Sequence, residues 1–144
     1  MRVKLIGHEQ SVQEVKDFLS IWDSAVCTLD VHEIIKLCVS DVCLFDLSSE
    51  MQGLAAYQRL WGSYQQLFVG HLQVYRKDVC IHADLLQAFI FGYSKVDYAD
   101  VAENSNMPWC RTTMCLVKNN DVWKVSHQHV SYPVSLDQLF LERN

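Results

Sequence analysis

The sequence predicts an α+β domain in which helices pack against one face of a curved antiparallel sheet. Three observations support this class. The first half of the 144 residues carries apolar side chains at three- and four-residue steps, which is a helical spacing. The second half alternates apolar and polar residues and is interrupted at turn-like segments, as hairpin-connected strands require. Because 50% of the residues are hydrophobic, a chain of this length can bury its own core.

Composition excludes several functional classes. Twelve basic and 17 acidic residues give a net charge of −5 without a long basic run, so we expect no nucleic-acid partner. Apolar runs fall far short of the roughly 20 residues that span a bilayer, and we expect no membrane span. Residues 1–10 lack the apolar core of a signal peptide, and none of the six cysteines forms a C-x-x-C pair. We therefore expect a cytoplasmic protein with reduced thiols and no zinc knuckle.

Two helices are predicted in the first third of the chain. Ser11 and Glu14 form a capping box, and Asp30 and Glu33 form a second one before a shorter apolar segment. The first box leads into an apolar helical face formed by Val12, Val15, Phe18, Leu19, Trp22 and Val26. The second box predicts a short helix that leads into a strand.

A strand and a third helix are predicted next. Residues 42–47 are β-branched and apolar, which favours a strand. Ser49 and Gln52 form a third capping box, and a long helical pattern follows it until Gly70. The face of that helix is aromatic, with Leu54, Tyr57, Trp61, Tyr64 and Phe68 at helical spacing.

The remainder of the chain predicts four consecutive strands at 72–81, 85–96, 107–118 and 122–132. Turn-like segments at 82–84, 97–106 and 119–121 separate them. No repeat, low-complexity tract or Pro/Gly-rich linker interrupts the pattern, so we predict a single domain over residues 1–144.

Helices on one face of a curved sheet leave a cleft, and such clefts are lined by aromatic side chains with a few polar groups. Six aromatic residues are candidates for contact with a small organic ligand: Trp22, Tyr57, Trp61, Tyr64, Phe91 and Tyr93. Tyr57 and Trp61 are preferred because each carries a polar atom on a large apolar surface. The alternative is that these rings only fill the core.

The sequence DVWKVSHQHVSYP at 121–133, preceded by CRTTMCLVK, closely resembles the SnoaL-like branch of the nuclear-transport-factor-two-like superfamily. Its W-x-x-x-H-x-H-x-S-x-P pattern is the most specific part, and with DVHEIIKLCVSDVCLFD at 30–46 the resemblance covers nearly the whole chain. It implies a cone-shaped sheet with about three helices on its concave face and dimerisation through the open face. The superfamily includes ketosteroid isomerases, cyclases, dehydratases and non-catalytic association domains, so fold transfers better than function.

Asp46 is the first candidate catalytic residue that the resemblance implies. It falls where the similar isomerases carry the aspartate that moves a proton between two carbons. A carboxylate at the end of a strand can equally cap the following turn, and both interpretations stay open. The chain departs from those isomerases at their two oxyanion-stabilising acids, because Trp22 and a residue near Thr113 occupy these positions.

Arg111 and Thr113 share one strand face, and His127 and His129 share another with Trp123. If Trp123 faces the helices, both histidines do as well, and the four polar residues would surround an anionic group in the cleft. The alternative is that Arg111 pairs with Asp46 while the histidines bond to backbone. A metal site is not expected, because a third ligand beside the histidine pair is missing from the pattern.

Two functions remain open from the sequence. The preferred one is binding of a compact, partly apolar molecule with cofactor-free proton transfer, in which Asp46 or His127 is the base and Arg111 stabilises charge. The alternative is a non-catalytic association or ligand-sensing domain. We also expect a homodimer. The sheet face opposite the helices carries apolar side chains, and monomers seldom leave such patches uncovered. Which residue of each of three apolar pairs lies on that face depends on the strand register. These pairs are Val74 or Tyr75, Phe89 or Ile90, and Met114 or Leu116.

Overall fold

The structure is a computed structural model that describes residues 2–68, 71–99 and 107–141. The predicted helix end at Gly70 and positions 100–106 of the predicted turn lie outside the described residues. No helix within these ranges is long and apolar enough to cross a membrane.

Three helices form the layer that covers the sheet: α1 (Glu9–Thr28), α2 (Val31–Lys36) and α3 (Leu54–Leu67). The predicted Asp30 cap is confirmed, because its side chain accepts a hydrogen bond from the Glu33 N–H. The predicted start of α1 is wrong by three residues. His8 is its N-cap and accepts from the Ser11 N–H, while Ser11 is buried in the first turn.

The capping box predicted at Ser49 and Gln52 is wrong. Residues Glu50–Gln52 form a short strand, β3, that pairs with the preceding strand β2 (Cys38–Phe45), and Gly53 is the N-cap of α3. Gly53 has a φ of 85°, a conformation that glycine adopts without steric cost. The pairing with β2 therefore overrides the local capping signal.

One seven-stranded mixed sheet contains every described strand, in the order β1-β4-β5-β6-β7-β2-β3. The four predicted consecutive strands are β4 (Leu72–Ala83), β5 (Gln87–Tyr98), β6 (Cys110–Asn119) and β7 (Val122–Ser131), and they pair antiparallel as expected. The sequence predicted an antiparallel sheet, but two of its strand pairs are parallel. Strand β1 (Val3–Gly7) pairs parallel with β4, and β2 pairs parallel with β7.

Besides β3, two elements were not predicted from the sequence, β1 and the short helix α4 (Leu136–Leu141). The strand β1 has five residues and depends on its non-local partner β4. The helix α4 buries none of its residues, and it begins at a capping box in which Ser135 and Gln138 bond reciprocally. The Ser135-x-x-Gln138 spacing is the sequence signal that would have located it.

A bulge bends β4 across the middle of the sheet. Lys77 pairs with Tyr93 and Cys80 with Phe91, so Asp78 and Val79 together oppose Gly92. A Cβ atom on Gly92 would lie 2.9 Å from the Asp78 carbonyl oxygen, so only glycine fits this close approach. Bulges increase the local bend and twist of a strand, and this one contributes to the concave face on which the helices pack.

A second bulge lies in β7 and determines which residues face the helices. Leu116 of β6 pairs with Val125, but the next residue back, Cys115, pairs with His127. Ser126 is therefore the extra residue, and its hydroxyl donates to the Cys115 carbonyl. Because one inserted residue reverses the alternation of side chains, Val125 faces the helices while His127 faces away from them.

The core lies between α1, α2, α3 and the concave face of the sheet. Trp22, Ile34, Tyr57, Met114 and Val125 are all almost completely buried there. Burying such apolar surface is the main favourable contribution to folding.

Glu14 of α1 links the first helix to the β6–β7 hairpin. Its carboxylate accepts hydrogen bonds of 2.9 Å from the Lys118 ammonium and 2.9 Å from the Trp123 indole N–H. The hydrogen bond from Lys118 is the largest cause that holds the pKa of Glu14 below its ordinary value. Trp123 is buried, as the sequence predicted.

We predict that Trp123→Ala lowers the free energy of unfolding by about 3–5 kcal/mol, the range for truncation of a large buried aromatic residue. The matched change Trp109→Ala should cost less, because Trp109 is only partly buried. Chemical denaturation of both variants measures the difference. A Trp123→Ala midpoint equal to that of the wild type would contradict this assignment of the core.

Candidate functional site

A cavity of about 290 Å³ lies between the helices α1 and α3 and the concave face of the sheet. Most of its wall is aromatic or aliphatic, and a few polar side chains reach it. Its lining includes Trp22, Leu44, Asp46, Leu60, Trp61, Tyr64, Phe68, Leu72, Val74, Arg76, Ser94, Val96, Cys110, Gln128 and Val130. The predicted cleft is therefore present on the concave face.

Asp46 follows the last residue of β2 and lines this cavity. One carboxylate oxygen, Oδ1, accepts from the Leu47 N–H at 2.9 Å, and the other, Oδ2, accepts from the Tyr64 hydroxyl at 2.9 Å. The sequence left open whether Asp46 caps the turn or faces the cleft, and the structure shows both. Asp46 caps the turn after β2 with one oxygen and faces the cavity beside Tyr64 with the other.

The negative charge of Asp46 contributes to the raised pKa values of Tyr57, Tyr64 and Cys110. Burial is the larger cause that raises the pKa of Tyr64, and the hydrogen bond to Asp46 raises it further. Burial and the charge of Asp46 also raise the pKa of the Cys110 thiol, which lies on β6 in the cavity wall. These groups therefore remain protonated near neutral pH, and Tyr64 is a permanent donor to Asp46.

Aromatic rings from α1 and α3 form the helical wall of the cavity. Trp22 and Trp61 meet edge to face with centroids 6.4 Å apart, and Trp61 meets Tyr64 in the same way at 5.5 Å. The Trp61 Nε1 atom is buried and has no hydrogen-bond partner among the described residues. Three of the predicted ligand-contacting rings, Trp22, Trp61 and Tyr64, thus line the cavity.

Tyr57 lies behind this wall rather than on it. It is 1% exposed, and burial raises the pKa of its hydroxyl well above the ordinary value. That hydroxyl donates a hydrogen bond of 2.8 Å to Oε1 of Gln128, a β7 residue that does line the cavity. Gln128 was not among the residues predicted from the sequence, because the bulge at Ser126 that turns it inward leaves no local signal.

The cations near the cavity are already engaged. The guanidinium of Arg76 on β4 donates hydrogen bonds to both carboxylate oxygens of Asp23 on α1. The Nε atom lies 3.2 Å from Oδ1 and 2.9 Å from Oδ2, and Nη2 lies 2.8 Å from Oδ1. The Lys95 ammonium lies over the rings of Trp109 and Tyr75 at 4.7 and 5.8 Å from their centroids. Among the described residues, Asp46 and Ser94 line the cavity without a cationic partner, and the Ser94 hydroxyl is hydrogen-bonded to that of Thr112.

The sequence placed Arg111 and Thr113 in the cleft, and this is wrong. Thr112, Met114 and Leu116 are the buried residues of β6, so Arg111 and Thr113 lie on the opposite face of the sheet. This opposite face is called the outer face below. Arg111 is exposed there and makes no ion pair with Asp46, which also excludes the alternative that the two form a buried pair.

The predicted cleft residues His127, His129, Phe91 and Tyr93 also lie on the outer face. The strand register aligns Phe91, Thr113 and His129 across three strands, and Tyr93 aligns with Arg111. His127 Nδ1 bonds to the Cys43 carbonyl at 2.9 Å, which fits the alternative that a histidine bonds to backbone. The bulge at Ser126 is the physical reason that both imidazoles face away from the cavity.

The outer face carries exposed stacked rings. His82 stacks on Phe89 with centroids 4.5 Å apart, and Phe91 stacks on Phe89 at 6.2 Å. Phe45 contacts His127 and His129 edge to face. Of the apolar pairs considered for this face, Tyr75 and Phe89 point outward, whereas Ile90, Met114 and Leu116 are buried under the helices.

No group of three or more His, Cys, Asp or Glu side chains within the described ranges is arranged to hold a metal ion. The histidine pair on β7 instead contacts Phe45. The six cysteines are free thiols at separate positions of the fold.

Comparison with known proteins agrees with this geometry. The model of the SnoaL-like domain matches residues 15–135, which include the cavity-lining strands and helices. The chain belongs to the SnoaL-like family. Its fold is the cystatin-like, nuclear-transport-factor-two-like (NTF2-like) fold that the sequence resemblance implied. No curated protein sequence matches the chain significantly.

Solved structures of similar fold carry different assignments. An NTF2-like protein of unknown function from Pseudomonas putida is 22% identical, with a TM-score of 0.78 over 88% of this chain and 89% of that chain. A candidate dehydratase of the NTF2-like family from Streptomyces avermitilis is 12% identical, with a TM-score of 0.72 over 85% and 96%. A candidate calcium/calmodulin-dependent protein kinase II association domain from Xanthomonas campestris is 18% identical, with a TM-score of 0.68 over 87% and 89%. At these identities the similarity shows the fold alone.

We predict that Arg111→Met changes the free energy of unfolding by no more than about 0.5 kcal/mol, because an exposed residue on the outer face is replaced. Its effect should add to that of Asp46→Asn, since the two side chains lie on opposite faces. Denaturation of the two single variants and the double variant measures the coupling. A coupling above about 1 kcal/mol would contradict their separation by the sheet.

Proposed function

We propose that the family member described here binds a compact, largely apolar organic molecule in the concave cavity and transfers a proton to and from it through Asp46. The observation that carries this proposal is the position of Asp46. Its carboxylate lies in the wall of an aromatic-lined cavity, accepts a hydrogen bond from Tyr64, and has no cationic partner among the described residues. A carboxylate in this setting suits general base chemistry.

The proposed step needs no cofactor. Asp46 accepts a proton from a carbon of the ligand, and the electron pair of the broken C–H bond is delocalised into the ligand. Asp46 then delivers a proton that has exchanged with solvent to the same carbon, or delivers the proton to another carbon, or to a leaving hydroxyl group that departs as water. Exchange, isomerisation and dehydration are the three outcomes. Tyr64 keeps Asp46 oriented throughout, because its raised pKa keeps the phenol protonated as a donor.

The size and lining of the cavity support a small, apolar ligand. A volume of about 290 Å³ is near the lower end of the range for small-molecule sites. Trp22, Trp61, Leu44 and Val130 offer apolar and ring surfaces to it. The structure of the candidate dehydratase from Streptomyces avermitilis shares this fold, which makes elimination chemistry compatible with the scaffold.

We also propose that the protein is a homodimer that associates through the outer face. Phe45, Phe89 and Phe91 expose 39%, 43% and 43% of their surfaces on this face, and His82 extends the stacked rings. Exposed contiguous apolar surface of this kind marks an association site. A cytoplasmic location fits the six free thiols, because reducing compartments keep cysteines unpaired.

We predict that Asp46→Asn slows deuterium exchange at the carbon between the ring and the carbonyl of 2-tetralone by about 100-fold or more. The amide cannot accept the proton, although it keeps the shape of the carboxylate. Asp41→Asn is the matched control, because Asp41 is exposed on β2, the strand that Asp46 follows, and does not line the cavity. Proton NMR in deuterated buffer measures the rate above the uncatalysed background.

Equal exchange rates for wild type and Asp46→Asn would contradict a catalytic role for Asp46. Binding of 2-tetralone by both variants without catalysed exchange would instead favour the non-catalytic ligand-sensing or association function. The candidate association domain from Xanthomonas campestris has the same fold, so a non-catalytic function is compatible with this scaffold.

We predict that the wild type has a mass near 33 kDa in solution, twice the 16.7 kDa of one chain. Phe91→Asp should shift it toward the monomer, because it adds a charge to the centre of the outer face. Ile21→Asp is the control, since Ile21 is an exposed apolar residue on α1, on the helical side. Light scattering at micromolar concentration measures all three. A monomeric wild type would contradict the dimer.

A further inference from the structure

Basic side chains and aromatic rings alternate on the outer face of the sheet, in two rows that cross β4, β5 and β6. The rows face away from the helices, because Thr112, the neighbour of Arg111 on β6, is buried on the inner face. The first row consists of Lys77, Tyr93 and Arg111, and the second of Tyr75, Lys95 and Trp109, which directly precedes β6. These six residues are called the cation–ring array below.

Contacts with the rings hold both lysine ammonium groups of the array in place. The Lys77 Nζ atom lies 4.5 Å from the ring centroid of Trp109 and 5.3 Å from that of Tyr93. The Lys95 Nζ atom lies 4.7 Å from the ring centroid of Trp109 and 5.8 Å from that of Tyr75. Two positive charges are therefore gathered at one indole ring, and Arg111 adds a third at the end of the first row.

The positive charges of the array lack an acidic partner in the part of the chain that the structure describes. Within those residues the exposed Arg111 forms no hydrogen bond or ion pair, and neither lysine forms a salt bridge. A contact with a ring orients an ammonium group but leaves its formal charge in place. An anion that binds among the three cations is therefore attracted by all of them.

The size of the array and the net charge of the chain favour a small anion over an extended one. Three strands and two rows cover about 10 Å by 7 Å, from the usual strand spacing and rise per residue. The chain as a whole carries a net charge of −5, which opposes a long nucleic acid or an anionic membrane. A compact anion responds mainly to the array, because charges beyond about 8–10 Å are largely screened at physiological salt.

Rings and cations together define the chemistry of the ligand. The planar fork of Arg111 suits two-point binding of a phosphate group, and Lys77 offers a second cation across the same row. Tyr93 lies between these two cations, and aromatic side chains bind nucleobases by stacking. A planar base that carries phosphate groups uses both kinds of side chain at once.

We propose that the cation–ring array is a nucleotide-binding site, in which Arg111 and Lys77 bind the phosphate groups and Tyr93 stacks on the base. The site is separate from the cavity, because five of the six array residues do not line it. The sixth, Lys95, borders the cavity but directs its ammonium group to the rings of Trp109 and Tyr75. The inference goes beyond the proposed function and does not depend on the chemistry of Asp46.

The experiment measures the affinity of the wild type for ADP, adenosine and inorganic pyrophosphate by isothermal titration calorimetry without divalent metal. ADP should bind at least tenfold more tightly than adenosine, which lacks the phosphate groups. ADP should also bind about fivefold more tightly than pyrophosphate, which lacks the base. Affinities of ADP and adenosine that are equal would overturn the inference. So would equal affinities of ADP and pyrophosphate, or no binding of ADP at millimolar concentration.

Arg111→Met tests the phosphate contact. It should weaken ADP binding by about tenfold or more, because a charged two-point donor is lost. Arg111 is exposed, so we expect the variant to fold like the wild type. Arg59→Met is the matched control and should leave the affinity unchanged, because Arg59 is exposed on α3 in the helical layer. An Arg111→Met affinity equal to that of the wild type would overturn the site.

Tyr93→Leu tests the stacking contact. It should weaken ADP binding by about fivefold or more and change pyrophosphate binding less, because leucine keeps apolar bulk but has no ring. Tyr132→Leu is the matched control, since Tyr132 is an exposed tyrosine beyond the end of β7 and outside the array. An equal loss for ADP and pyrophosphate in Tyr93→Leu would overturn the stacking of the base on this ring.

Two further measurements locate the bound nucleotide. Asp46→Asn should leave the affinity for ADP unchanged, whereas a tighter complex would place the nucleotide in the cavity beside Asp46 and overturn the separate site. The first row of the array lies next to Phe91, which belongs to the surface proposed for the dimer. An ADP affinity that falls as the protein concentration rises would show that a second copy covers the array, and would also overturn the inference.

Discussion

The inserted residue Ser126 in β7 is the constraint on which the chemistry of both sheet faces depends. Trp123 and Val125 pack under the helices before it, and Gln128 and Val130 line the cavity after it. Without the bulge, His127 and His129 would occupy those inward positions. One extra residue therefore keeps imidazoles out of the cavity and leaves it with an amide donor beside the carboxylate of Asp46.

Periodicity predicted the parts of the fold whose signals are local and continuous. The Asp30 cap, the aromatic face of α3 and the four long strands follow from side-chain spacing, and the structure agrees with them. The short strand β3 and the bulges depend on hydrogen bonds between distant residues, which spacing does not record. A strict alternation along β7 consequently gave the wrong face for both histidines. On β6 the alternation holds, but Thr112, Met114 and Leu116 occupy its inner face, so Arg111 and Thr113 were assigned to the wrong side of the sheet.

Within the site, the sequence could find residues but not their partners. Asp46 was placed by resemblance, and Trp22 and Trp61 by helical spacing, and all three line the cavity. The hydrogen bonds that define their chemistry join residues far apart in sequence: Tyr64 with Asp46, and Tyr57 with Gln128. Glutamine in a strand has no distinctive pattern, so the position of Gln128 at the cavity wall is found only when register and burial are known together.

The borders of the sheet are short or distorted. Its two edge strands are the shortest ones, β1 with five residues and β3 with three. The bulge at Asp78 and Val79 twists β4 at the point where its pairing with β1 begins. Long flat edges are templates for the addition of foreign strands and for fibril growth, and these devices remove them. The molecule can thus display a broad aromatic sheet face without displaying an equally broad edge that would recruit other chains by backbone pairing.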